Sequence, residues 1–134
     1  MLDTRLEPTE DPEAFLEMVR EVIGDEAIEV AWAPRNVRPK GISGLDTEAF
    51  RVLEANITEF YGATTLPTMS TGATDMAYLR ARGIQCYGIG PAIDIEDGPR
   101  GFGAHSDRER ILESELARFA RFHYAIVADI AVAR

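Results

Sequence analysis

A chain of 134 residues with 46% hydrophobic residues has the length and composition of a globular domain, or of parts of two. Its net charge of −9 argues against nucleic acid as a partner, which calls for a basic face. No apolar run approaches the roughly 18–20 residues of a membrane span, the first residues lack the pattern of a signal peptide, and the single Cys86 excludes an internal disulfide and fits a reducing, cytoplasmic setting.

Residues 2–6, LDTRL, alternate and predict a short strand with Leu2, Thr4 and Leu6 on one face and Asp3 and Arg5 on the other. Asp11-Pro12-Glu13 is a helix start, with Asp11 as cap and Pro12 in the first turn. Phe15, Met18, Val19 and Val22 then recur at helical spacing up to a stop at Gly24. Ile28, Val30 and Trp32 alternate again, so residues 1–33 predict a βαβ piece. Residues 33–45 hold two prolines, two glycines and a cluster of basic side chains, the composition of a linker.

Asp46 or Thr47 caps a second helix with Phe50, Leu53, Ile57 and Phe60 on one stripe, ended by Gly62. A short helix is predicted from about Asp75 to Arg82, a buried strand over Ile84–Ile89, and a loop over Gly90–Gly103. A last helix, from about Glu109 to Ala131, carries Leu112, Leu116, Phe119, Ile126 and Ile130 on an apolar face. Strands alternating with helices predict an α/β fold. The second half has few strands for its helices, so the sheet calls for strands from elsewhere.

Two stretches carry chemistry. In MSTGATD, residues 69–75, hydroxyls and an unhindered backbone precede a helix. That arrangement suits an anion, and it equally suits a plain cap in which Thr74 or Asp75 satisfies the first free amides. No Gly-Lys-Ser/Thr ending makes it a phosphate loop. In GFGAHSDRER, residues 101–110, His105 follows small residues and suits a metal ligand, an acid–base group, or an exposed loop histidine. His123 falls among the apolar residues of the last helix, as a packed or partner-facing side chain does, and Cys86 reads as an inert core thiol. Arg5 either grips a carboxylate or pairs with Asp3. Alone, these residues make pieces of a site and no complete reaction centre.

In order, LDTRL, the DP helix start, PTMSTGATD, LRxxGIxxYGIGP, the Gly-rich loop and HSDRERI resemble the C-terminal part of the dinuclear zinc aminoacylase/carboxypeptidase family. That family includes glutamate carboxypeptidase, peptidase T, carnosinase and succinyl-diaminopimelate desuccinylase. The resemblance covers nearly the whole chain and implies a metallopeptidase or amidohydrolase that cleaves an amide next to a carboxylate, in a small peptide or N-acyl amino acid. Residues 1–33 would end a lid domain that commonly mediates dimerisation, 34–45 would be the linker, and 46–134 the C-terminal part of the catalytic α/β domain.

Residue by residue, the resemblance implies that His105 is a zinc ligand and that Gly72, Ala73, Thr74 and Arg5 contact the substrate near its carboxylate. The family's other ligands to its two zinc ions and its general base lie in an early His-x-Asp, a bridging Asp, a Glu-Glu pair and a further acid. None has a counterpart here. A single ligand cannot hold two zinc ions, so the expectation is a C-terminal fragment that is inactive alone. The alternative is a non-catalytic module that self-associates through strand edges or apolar faces.

Overall fold

A computed structural model describes residues 4–33, 38–70 and 72–132. Its elements are α1 (Pro12–Ile23), α2 (Glu48–Tyr61), α3 (Met76–Arg80) and α4 (Glu113–Val132). Among the described residues there is no strand, which overturns the expected α/β class, with its βαβ lid piece and α/β catalytic portion. No helix among them is long and apolar enough to cross a membrane.

The missing strands have local causes. At 28–32 backbone groups are committed elsewhere: the Ile28 amide donates to the Asp25 carbonyl at 3.1 Å, and the Val30 carbonyl accepts from Arg20 Nη2 at 3.0 Å. At 84–89, the Ile84 amide closes the end of α3 on the Leu79 carbonyl at 3.1 Å, and the Cys86 amide donates to Ser43 Oγ at 2.9 Å. A ladder needs those same groups. Of the first predicted strand, Leu2 and Asp3 lie outside the described residues, and residues 4–6 run as irregular chain. Alternation selects a face; only a neighbouring strand turns it into a sheet.

The chain divides into two compact units, Met1–Ser43 with Met69–Cys86, and Gly44–Thr68 with Tyr87–Arg134. In the first, α1 forms as its sequence dictates. Asp11 Oδ1 accepts from the amides of Glu13 and Ala14, and Gly24 ends the helix at φ 59° with its amide on the Arg20 carbonyl. The predicted stripe is shifted, however. Leu16 is the buried residue, whereas Met18 and Val22 are exposed and Phe15 and Val19 half-buried. Polar contacts bring the following segment back: Arg20 Nη2 donates to the Val30 carbonyl at 3.0 Å, and Trp32 Nε1 to Glu13 Oε1 at 3.2 Å.

In the second unit α2 packs on α4. Thr47 caps α2 by accepting from the Phe50 amide at 3.1 Å, and Gly62 ends it at φ 61°. Leu53, Phe122 and Ile126 form the buried centre, with Val52, Ile57, Phe60 and Phe119 packed around it. Phe122 is fully enclosed, with the rings of Phe60 and Tyr61 edge-on at 5.8 and 5.5 Å. Burial of one such side chain contributes about 1.5–3 kcal/mol. Buried Asn56 stays satisfied, since its Nδ2 donates to Asp129 Oδ2 at 2.8 Å and to the Val52 carbonyl at 3.0 Å. α4 starts at Glu113, later than predicted, and leaves Leu112 and Leu116 exposed; Phe122 holds the central place.

Candidate functional site

His105 stands in a loop organised by a buried carboxylate. Asp97 is only 6% exposed, and its Oδ1 accepts from Arg110 Nε at 3.1 Å and Nη2 at 2.5 Å. The Phe102 amide donates to the Asp97 carbonyl at 2.8 Å, and the Arg110 guanidinium lies 4.0 Å over the Phe102 ring. The hydrogen bonds from Arg110, reinforced by its charge, hold the Asp97 carboxyl below the usual carboxylate range against the opposing effect of burial. The same pairing raises the pKa of Arg110. Gly103 belongs to this geometry, because a Cβ there would stand 3.2 Å from Gly98 Cα.

Between Phe102 and Arg110 the chain bends so that His105 takes φ 68°, the one non-glycine residue with positive φ among the described residues. Left-handed backbone costs a side-chain-bearing residue energy, and such positions cluster at functional sites. The His105 amide donates to Glu109 Oε2 at 3.1 Å, and the residue is exposed. Asp97 and Arg110 escape sequence reading; the only signal was an acid-rich loop preceding the HSDRER block.

The second piece, Gly72, Ala73 and Thr74, is also exposed; Thr71 lies outside the described residues. The Gly72 amide donates to Ser70 Oγ at 3.1 Å and the Met76 amide to Thr74 Oγ1 at 3.4 Å. Asp75, at the N-cap position, makes no side-chain cap bond; the side chain that meets a first-turn amide is that of Thr74. At five residues, α3 is too short to sum a strong dipole, so the helix itself adds little for an anion at its start.

Arg5 and the Gly72–Thr74 loop belong to the first unit, and His105 to the second. Arg5 is exposed on irregular chain, and Asp3, its alternative partner, lies outside the described residues. Among the described residues no group of three or more His, Cys, Asp or Glu side chains is arranged to hold a metal ion. The donors present therefore do not make a zinc site by themselves. His123 is exposed, its ring edge-on to Phe119 at 4.2 Å and its Nδ1 3.0 Å from the Phe119 carbonyl oxygen. Cys86 is half-buried.

The sequence profile of the peptidase family M20/M25/M40 matches residues 3–129. The chain belongs to that family. Its family setting is therefore that of metallopeptidases and related hydrolases, as the TGATD and HSDRER blocks imply. No curated protein and no solved structure matches the chain.

Proposed function

We propose that this chain supplies part of the site of a zinc-dependent M20-family peptidase or amidohydrolase that acts on an amide next to a carboxylate. In this reading His105 is a zinc ligand, while Gly72, Ala73, Thr74 and Arg5 hold the carboxylate of a small peptide or N-acyl amino acid. The observation that carries it is His105 at φ 68°, in a loop braced by Asp97 and Arg110, within a family match spanning nearly the whole chain. A neutral imidazole in a preset loop suits a zinc ligand.

The remaining ligands and the general base come, in this reading, from polypeptide beyond the described residues, and the 134-residue chain alone is not a competent hydrolase. Zinc content and hydrolysis of N-acyl amino acids test it, on this chain and on one extended upstream. Zinc retention and turnover are expected only in the extended protein. Equal activity in both would refute the incompleteness.

A second reading, self-association without catalysis, draws support from exposed apolar residues on α4, namely Tyr124, Val127 and Val132. Sedimentation velocity tests it, because a monomer at high concentration excludes it.

A further inference from the structure

Although residues 33–45 have the composition of a linker, residues 38–43 lie along α3 within the first unit. Ser43 Oγ accepts from Arg80 Nε at 3.0 Å and donates to the Cys86 carbonyl at 2.8 Å. Gly41 sits so close to α3 that an added Cβ would fall 2.7 Å from Arg80 Cβ. At the near end, Arg38 Nη1 donates to the Thr74 carbonyl at 3.0 Å and lies 3.9 Å from Asp75 Oδ1. Its guanidinium also stands 5.8 Å from the centre of the Tyr78 ring. One side chain thus meets three residues at the junction of the Gly72–Thr74 loop and α3.

We infer that Arg38 is a positioning residue for the Gly72–Thr74 loop. This rests on the reading that the loop contacts a substrate carboxylate. The Thr74 carbonyl accepts both from Arg38 and from the Ala77 amide at 3.3 Å, so Arg38 fixes the peptide plane on which the loop turns into α3. It also answers an electrostatic problem. The Asp75 side chain is 98% exposed beside the loop, and a lone carboxylate there repels an anionic substrate. Arg38 offsets that charge. A planar guanidinium serves carbonyl, carboxylate and ring together, which an ammonium group does not.

The test uses the full chain, with Arg38→Ala and Arg38→Lys variants and N-acetylglycine as probe. In Arg38→Ala, the Gly72, Met76 and Ala77 amides are expected to exchange about tenfold faster, about the effect of losing one charge-assisted hydrogen bond. The probe should shift the loop amides of the unaltered chain, with a Kd about tenfold higher in Arg38→Ala and partly recovered in Arg38→Lys. Trp32 fluorescence, unchanged in both variants, verifies the fold of that unit. Unaltered exchange at the three amides in Arg38→Ala would overturn the inference. Should the probe leave the loop of the unaltered chain unmoved, the substrate-loop reading falls, and the exchange comparison still decides the role of Arg38.

Discussion

The two units reach order by different routes. The second is built on apolar packing: Phe50, Leu53, Phe122 and Ile126 are buried, and two helices share one centre. In the first, Leu16 is the one buried apolar residue among those described, while Met18, Val22, Ile28, Tyr78 and Leu79 are exposed. Its segments are joined by polar contacts, from Arg20 to Val30, from Trp32 to Glu13, and from Arg80 to Ser43 and Cys86. Caps and periodicity are enough to form a helix, but only a facing apolar surface buries its stripe.

The contrast predicts unequal responses to equal truncations. Phe122→Ala should cost about 3–5 kcal/mol and melt the α2–α4 pair, whereas Leu16→Ala should cost about 2 kcal/mol, since its sparse surroundings can collapse. Urea denaturation reads the two separately. The single Trp32 reports the first unit, and helical circular dichroism, drawn mostly from α2 and α4, reports the second. Trp32 should lose its native signal at lower urea. Coincident transitions in the unaltered chain would abolish the distinction between the units.

What could be read from the sequence follows the same division. The cap at Asp11, the cap at Asp46 or Thr47, of which the structure takes Thr47, and the stops at Gly24 and Gly62 were legible, because each is a local bond or a local φ. The α2 stripe was legible too, because Leu53, Ile57 and Phe60 pack with Phe122 and Ile126 of α4. The strands over 4–6, 28–32 and 84–89 were misread, since a strand's identity resides in a partner that alternation does not reveal. Phe122 was overlooked for a similar reason: the apolar residues of α4 circle the helix, and only α2 selects among them. At the candidate site, His105 and the Gly72–Thr74 loop were legible as motifs. Asp97, Arg110 and Arg38 were not, because their roles are contacts across 13 and 36 residues.

If the first unit depends on polar fit, a single methyl should disturb it. Gly41→Ala places a Cβ 2.7 Å from Arg80 Cβ, with the Arg80 backbone 3.6 Å away, so residues 38–43 must lift from α3. Overpacking of this kind costs about 1–3 kcal/mol. The expected result is an earlier Trp32 transition and faster exchange at the Cys86 amide, with the second unit's helix signal unmoved. A Gly41→Ala protein with unchanged Cys86 exchange would show that the contact between segment 38–43 and α3 is not maintained in solution.

The smallest effect lies in the one part of the second unit that resembles the first. The His105 loop is held by Asp97 and Arg110, not by the aromatic centre. Because the folded pKa of Asp97 is depressed, its contribution is fully present above the unfolded carboxylate value of about 3.9 and is lost as pH falls through the folded value. As pH falls through that depressed value the Arg110 Nε–H resonance should therefore move and the Phe102 ring should lose its fixed environment, while Phe122 signals stay in place. Asp97→Asn should give that loosened loop already at neutral pH and abolish the acid step. An acid shift of Arg110 that persists in Asp97→Asn would assign it to another carboxylate. If the step behaves as expected, the His105 loop stands on a charge-assisted frame that can be undone without touching the apolar core.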